Sequence, residues 1–367
     1  MQNKPIRILQ IVYSLDIVNG VLSVVLNWHH HIDTTKIQFD YLYCVQTPAT
    51  RQREIEELGG KVYQLLHPYR HPFKFLYKSY QLFKTHHYRV IHLHLALLNF
   101  FICPVAKWLG SKQIIQHAHG TKWSSSKWGV WRNHLGYFFA RPFITHKLAC
   151  SQAAGEFWYG KNFTLINNGI EIEKFTYDLS VRARKREELG LKDNFVIAHV
   201  GRFVVEKNHT FLIDVFEQVL KQEPKAKLVL VGNGFLEQEI KNLVANKKIE
   251  DKVLFLGTRN DVPELLQSFD VLCLPSIFEG LPVIGVEAQA AGLPCVFADS
   301  ITPEVLLTPF ACRIPLAAEP PIWAKKILSF KGTPRSSGEE YIRAKGFDIR
   351  QTAKQMQIFY EELGKKD

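Results

Sequence analysis

Four charged side chains in the second half of this 367-residue sequence stand where they could grip an anion and a polyol. The first two lie in Gly201-Arg202-Phe-Val-Val-Glu206-Lys207-Asn208, directly after an apolar run. A diphosphate needs fixed positive charge, and no metal-binding cluster is apparent in the sequence to neutralise one. Arg202 offers a planar fork of donors and Lys207 a mobile point charge, while Gly201 lets the backbone approach closely. The other two lie in Glu279-Gly280-Leu281-Pro282 and, further on, Glu287. Gly-Leu-Pro predicts a proline just inside a helix start, where free backbone N–H groups form an anion site. Glu287 follows Pro282 by five residues, about 7.5 Å along a helix axis. One carboxylate can then meet a sugar near the phosphates while the other reaches a ribose, each accepting paired hydrogen bonds from neighbouring hydroxyls. The plainer alternatives are a solvated loop with incidental charges, a Glu279 that only complements a helix dipole, and a Glu287 on an ordinary helix surface.

These loops need strands to hang from. In the second half the apolar runs 195–201, 226–232, 252–257, 270–276 and 294–298 read as strands, with helices at 208–222, 235–247, 261–268 and 283–291. The first half gives candidate strands at 6–13, 39–45, 61–66, 89–95, 113–119, 146–151 and 163–169, with helical stretches such as 20–31, 51–58, 73–86 and 97–109. Val- and Ile-rich strands separated by helices make parallel sheets. The expected fold class is α/β: two doubly wound, Rossmann-like domains facing a central cleft, with ligands at the strand C-termini. The expected domains are 1–172 and 173–348, joined near the charged stretch 172–194. A C-terminal segment, 349–367, reads as a helix over 349–363 expected to pack back on the first domain.

Composition narrows the class. The chain is 46% hydrophobic, enough for two cores, and 22% charged without low-complexity segments, which excludes general disorder. Six cysteines lie scattered with no CxxC pair, so neither a zinc site nor a disulfide framework is expected, and the four in apolar runs, Cys44, Cys103, Cys273 and Cys295, read as reduced core residues of a cytosolic protein. No signal peptide is read at the N-terminus, and the most apolar stretch, 90–106, falls short of the roughly 20 residues a membrane span needs. The net charge of +11 sits wholly in residues 1–172, with 19 Lys and Arg against 8 Asp and Glu; the remainder carries 27 of each. A basic half joined to a neutral half implies different partners, phosphate or anionic lipid for the first, although drift among surface lysines gives the same count.

The glutamates 279 and 287, with seven residues between them after an apolar strand ending in Pro-Ser, resemble the E-x7-E element of retaining glycosyltransferases. GRFVVEKN (201–208) resembles the phosphate-binding loop of the same group, the family-4 glycosyltransferases of GT-B fold, among them enzymes of bacterial capsule and exopolysaccharide synthesis. VGNGFLEQEI (231–240) and the whole of 257–296 match as well, so the resemblance covers most of 195–300. In the first half it is looser: Asn19-Gly20 stands where a Gly-Gly loop often occurs, and His94, His117-Ala-His119-Gly120, Ser151 and Asn167-Asn168-Gly169-Ile170 fall at familiar places. The resemblance implies that Arg202 and Lys207 hold a donor diphosphate, Glu287 the ribose and Glu279 the hydroxyls of the donor sugar. It adds Gly201, Gly232, Thr258, Gly280, Leu281 and Pro282 to the donor contacts. Gly20 would lie close to the phosphate, and His119 would donate a hydrogen bond near the transferred sugar. It also implies retention of anomeric configuration and no metal or other cofactor, the nucleotide sugar, a UDP-sugar on family frequency, being a co-substrate. VGNGFLE is not a dinucleotide fingerprint, since Glu237 stands where the third glycine should be. His119 has a structural alternative, as a histidine closing a strand, and His29–His31 read as a helix end rather than a metal site.

Residues 121–143 interleave three tryptophans, other aromatics and five basic residues, and 67–89 are similarly basic and aromatic. Lys122, Trp123, Lys127, Trp128, Trp131 and Arg132 are the candidates for an acceptor or membrane surface; a domain core with lysines on its rim has the same composition. Nucleic acid is not expected, because no RNA or DNA motif accompanies the charge. The expectation is a peripheral enzyme at the inner face of the cytoplasmic membrane. It would transfer a hexosyl or N-acetylhexosaminyl group to a lipid-linked or polysaccharide acceptor in capsule, exopolysaccharide or lipopolysaccharide synthesis. Phe235, Thr258 and Ile277 would tune donor choice. The competitors are a nucleotide-sugar epimerase of the same fold, against which the aromatic-basic half argues, and a non-catalytic sugar- or nucleotide-binding protein, against which the intact charged set argues.

Overall fold

The computed structural model describes residues 4–17, 19–95, 98–123 and 127–365; residue 97 of an expected helix, 124–126 of the aromatic-basic stretch and 366–367 of the expected C-terminal segment lie outside the described residues. The chain forms two compact units, residues 4–169 with 349–365, and residues 170–348.

The first unit is built on a seven-stranded sheet: β1 (Ile6–Ile11), β2 (Ile37–Tyr43), β3 (Val62–Gln64), β4 (Val90–Leu93), β5 (Gln113–Ala118), β6 (His146–Ala149) and β7 (Thr164–Leu165). Its order is β3-β2-β1-β4-β5-β6-β7, with every pair parallel. All seven residues of β2 are buried, as expected of a strand covered by helices on both faces. The second unit repeats the plan with β8 (Val196–Val200), β9 (Lys227–Val231), β10 (Val253–Gly257), β11 (Val271–Leu274), β12 (Cys295–Ala298) and β13 (Ala311–Ile314), in the order β10-β9-β8-β11-β12-β13. Each sheet reverses its winding once, between β1 and β4 and between β8 and β11. At such a point the connections leave neighbouring strand ends in opposite directions, and a crevice opens there.

The charged stretch 172–194 is not a linker. It carries the helix Leu179–Glu188, which packs on the helix Val262–Ser268 within the second unit. Arg182 Nη1 donates to the carbonyls of Gln267 and Phe269 at 2.9 and 2.8 Å, and Arg186 Nη1 to Ser268 O at 2.8 Å. Asp270 pairs with both guanidiniums and accepts the Val196 N–H at 2.7 Å. These cations satisfy backbone acceptors at the closed end of the sheet, which composition alone reads as solvated charge. The final helix, Ile349–Lys365, belongs to the first unit, where Ile349, Ala353, Met356, Tyr360 and Leu363 form its buried stripe. The aromatic-basic stretch contains the helix Lys127–Ala140. Five of the cysteines are buried, and all six are free.

Two glycines let the loops after β8 and β9 touch. Gly232, at φ +132°, puts its Cα where a Cβ would lie 2.1 Å from Gly201 O, and at Gly234 a Cβ would lie 2.4 Å from Phe203 O. The loops are stitched by Gly201 N to Val231 O and Phe203 N to Asn233 O, at 2.9 and 2.8 Å. Gly20 differs, since a Cβ there meets nothing within 4 Å. Gly232→Ala is therefore expected to cost more than ~2 kcal/mol, whereas Gly20→Ala leaves stability unchanged or slightly raised; denaturant melts of the two variants check both.

Candidate functional site

The crevice of the second unit is walled by the loops leaving β8 and β11. The β8 loop ends at Asn208, held left-handed at φ 56°, a conformation asparagine tolerates better than most residues. Asn208 Nδ2 donates to Pro275 O at 3.1 Å and Ile277 N to Glu206 O at 2.8 Å, so the two loops are laced to each other. Across that seam Lys207 Nζ pairs with Glu279 Oε1, which also accepts Ser276 Oγ–H at 2.9 Å. The Lys207 stem runs over Gly201, where a Cβ would stand 3.2 Å from Lys207 Cε.

The other two charges have no such partner. Arg202 is exposed, and Glu287 is half-buried on the helix Val283–Ala290; neither side chain has a hydrogen bond or ion pair among the described residues. Burial alone pushes the Glu287 carboxyl up to about 7. Pro282 is the residue before this helix rather than its first member, and no side chain caps the helix. Its first turn carries the partial positive charge of a helix start, with Gly285 N–H already donating to Pro282 O at 2.9 Å. Leu281 is 5% exposed and packs in the core, so only its backbone can face a ligand. Gly280 is half-buried beside it. Gly232 serves the site through its packing on Gly201. Thr258 is exposed beyond the end of β10, an edge strand two places from β8, and Phe235 and Ile277 are exposed at the loops. Sequence reasoning missed His199 and His209. His199 Nδ1 lies 2.9 Å from Cys273 O, and the His209 ring stacks on Phe203 at 4.3 Å. Burial, with Lys207 nearby, holds both rings neutral, His199 down to about 3. They support the Lys207 loop from below, a role that shows only once β8 and β11 are paired.

In the first unit Asn19 caps the helix Gly20–His31, its Oδ1 accepting from Val21 N and Leu22 N at 3.1 and 3.3 Å. The side chain that departs from Gly-Gly thus occupies the N–H groups an anion would use. His119, half-buried past β5, places Nε2 2.8 Å from His94 Nδ1, and burial lowers its pKa to about 3. His92, His94 and His117 bring ring nitrogens within 4.8 Å of one another. His92 and His117 lie near parallel, at 15° with centroids 5.3 Å apart, and all the nitrogens of the three rings but His117 Nε2 have hydrogen-bond partners. Nitrogens already engaged with one another, with Gln10, with Tyr360 and with His119 suit hydrogen bonding along a row better than metal ligation.

Among the surface candidates, Trp128 and Trp131 are exposed and stacked at 5.3 Å, and Lys122 and Lys127 are exposed. Trp123 is not a free surface residue: it packs on Trp158 at 4.1 Å, and its carbonyl accepts Asn133 Nδ2–H. Arg132 lies over the Tyr69 ring at 4.7 Å. Both line a cavity of about 350 Å³ with Tyr13, His67, Leu95 and Trp158, beyond the C-terminal ends of β1 and β4. Buried His67 Nδ1 has no hydrogen-bond partner among the described residues.

The sequence family described as Glycosyl transferases group 1 matches residues 181–328, and Glycosyltransferase Family 4 matches 18–174. EpsF of Bacillus subtilis, which bears the name of a glycosyltransferase, is 30% identical over 95% of this chain and 94% of its own. The chain belongs to the group 1 glycosyltransferases. This glycosyltransferase is also 29% identical, over 62% of each chain, to the UDP-Gal:alpha-D-GlcNAc-diphosphoundecaprenol alpha-1,3-galactosyltransferase of Escherichia coli. Its fold resembles Anabaena HepE in complex with UDP-glucose, with a TM-score of 0.81 at 20% identity, covering 97% of this chain and 99% of that one. It also resembles the sucrose-phosphate synthase of Thermosynechococcus elongatus, with a TM-score of 0.80 at 18% identity over 98% and 100%. Both likenesses place the two units of this glycosyltransferase in the GT-B fold.

The Glu287 carboxyl carries a pH signature. Its ordinary value is 4.5 and its folded value about 7, so the native state holds more protons between the two. This group's contribution to stability therefore falls as pH rises through that window. Glu287→Gln is expected to gain stability relative to the parent as pH rises from 5 to 8, and not below 4.5; urea titrations across that range check it.

Proposed function

We propose that this glycosyltransferase moves a hexosyl or N-acetylhexosaminyl group, with retention, from a UDP-sugar to a lipid-linked or polysaccharide acceptor of a bacterial cell-surface glycan. The observation that carries the donor half is the Lys207–Glu279–Ser276 cluster at the β8/β11 reversal, flanked by Arg202 and Glu287 without partners. Arg202, Lys207 and the start of the helix Val283–Ala290 would neutralise the diphosphate, without a metal. On ligand entry Lys207 would exchange part of its bond to Glu279 for phosphate, freeing Glu279 for sugar hydroxyls. Glu287 would accept from the ribose, Gly20 would border the phosphate, and His119 would donate to the transferred sugar. UDP as carrier is supported by the neighbours solved with UDP and UDP-glucose, and a diphosphate-lipid acceptor by the named activity of the Escherichia coli relative.

The acceptor half rests on the first unit. The cavity lined by Trp123, Trp158, Tyr13 and Arg132 offers aromatic faces for a sugar and a fork for phosphate. No Asp or Glu occurs between Glu57 and Glu156. On three adjacent helices of that stretch, Phe73, Tyr77, Trp108, Trp128, Trp131 and Phe138 are more than half exposed, beside the exposed Lys74, Lys78, Lys107 and Lys127. Aromatic rings among lysines suit the interface of an anionic membrane, and no helix among the described residues is long and apolar enough to cross one.

Incubation with a panel of nucleotide sugars, with and without bacterial lipid extract, tests the reaction. Acceptor-dependent nucleotide release is expected; isomerised sugar without release would instead mean epimerisation. Glu279→Ala and Lys207→Ala should each lower transfer by ~100-fold or more while the fold is kept, and parent rates in both would sink the site. In flotation with anionic vesicles at low salt the protein should float, and Trp128→Ala/Trp131→Ala should float less. Absence of the parent from the lipid fraction would remove the membrane reading.

A further inference from the structure

Behind His119 a single row of hydrogen bonds crosses the core of the first unit. His119 Nε2 meets His94 Nδ1 at 2.8 Å, and His94 Nε2 meets the Gln10 side-chain amide at 2.9 Å. The other end of that amide meets Tyr360 Oη at 3.0 Å; Tyr360 Oη meets His92 Nδ1 at 2.6 Å, and His92 Nε2 meets His117 Nδ1 at 3.3 Å. Strand alternation builds the row. His92 and His94 project from one face of β4, His117 and His119 from the same face at the end of β5, Gln10 from β1 between β2 and β4, and Tyr360 from the last helix. Every member but His119 is at most 5% exposed.

Burial keeps all four imidazoles neutral. A neutral ring has one N–H and one bare nitrogen, so each ring link fixes the next; because the buried Tyr360 O–H must donate to one of its two neighbours, Gln10 or His92, it accepts from the other, and the row has two consistent polarities. In one, with Gln10 Oε1 toward His94 and Gln10 Nε2 donating to Tyr360 Oη as the amide stands in the structure, His119 Nε2 donates to His94, the bonds run inward, and the row ends in an N–H at His117 Nε2. In the other, with the Gln10 amide turned by half a revolution, His117 Nδ1–H donates to His92 and His92 to Tyr360. Tyr360 then donates to the Gln10 oxygen, the Gln10 N–H to His94, and His94 Nδ1–H to His119 Nε2. His119 then carries its proton on Nδ1, the nitrogen outside the row. The choice is made at the far end. His117 Nε2 is buried without a partner, and a buried orphan N–H is rarer than a buried orphan acceptor, so the second polarity is favoured.

We propose that Tyr360, Gln10, His92, His94 and His117 are positioning residues that hold His119 as its Nδ1–H tautomer, presenting a hydrogen-bond donor to the sugar-bearing substrate. The inference rests on the reading of His119 given above. A wrong tautomer disables a catalytic histidine that is otherwise in place.

The test uses the full chain labelled with 15N-histidine and long-range 1H–15N correlation spectra, which distinguish the two neutral tautomers without any substrate. The expected result is an Nδ1–H His119 in the parent and a mixed or Nε2–H His119 in Tyr360→Phe, which keeps the ring that packs on Phe39. In transfer assays Tyr360→Phe should lower kcat by ~10-fold or more with the donor KM changed less than twofold. Gln10→Leu, a second break in the row, should reproduce the spectral change. An Nε2–H His119 in the parent, or an unchanged tautomer in both variants, overturns the relay. The expected spectra with an unchanged kcat uphold the relay and instead remove His119 from the reaction.

Discussion

Everything at the donor side depends on one constraint of parallel sheets, the reversal of winding between β8 and β11. Neighbouring strands end side by side while their helices depart to opposite faces, so two loops stand next to each other with a gap above them. In this chain the gap is narrow enough to be laced. Asn208 reaches Pro275, Glu206 reaches Ile277, and the glycines at 201 and 232 let a third loop brace the first from behind. Charged side chains placed on so fixed a frame keep their geometry without a ligand, which is what preorganised binding requires.

The four charges on that frame are in two different conditions. Lys207 and Glu279 satisfy each other, so both can be partly desolvated without an unpaired charge. Arg202 stays in water at little cost. Glu287 has neither partner nor full hydration, and its raised pKa is the sign of that cost. A carboxylate left short of hydrogen bonds in the free protein is one whose unmet demand a diol could satisfy, so in the proposed role part of the affinity would be stored as local instability. Residues 170–348 carry 23 Lys and Arg against 25 Asp and Glu, so long-range attraction would add little for an anion there and the local arrangement of these side chains matters more.

The alternation of apolar runs and helices made the first sheet and five of the six strands of the second readable, because buried parallel strands need continuous Val, Ile and Leu; the edge strand β13, Ala-Cys-Arg-Ile, lacks such a run and was missed. The β8 and β11 loops were readable for a related reason: glycine, proline and charge stand there at spacings that a strand–loop–helix unit explains. The rest was hidden by partners far apart in sequence. Arg182 and Arg186 read as solvent-facing until Asp270 and the carbonyls at 267–269 are brought beneath them. Leu281 stands within a binding motif yet faces the core, since motif membership does not say which way a side chain points. Trp123 shares its composition with Trp128 but not its exposure, because Trp158, some thirty-five residues on, covers one and not the other. Tyr360 could not be tied to His92 at all from a separation of 268 residues.

That last contact exists because the chain returns to its first unit after completing the second. The sheet of the first unit carries Gln10, His92, His94 and His117 buried on adjoining strands, polar groups that strands alone leave short of partners. Tyr360, from the returning helix, supplies the hydroxyl that joins Gln10 to His92 and makes two short segments one row. Burial keeps that row uncharged while Lys and Arg accumulate on the surface, so two kinds of polar chemistry share one unit without opposing each other. Outside, fixed positive charge acts over a Debye length of about 8–10 Å. Inside, neutral rings carry only hydrogen-bond direction, which surface cations do not repel and which survives only while every member is paired.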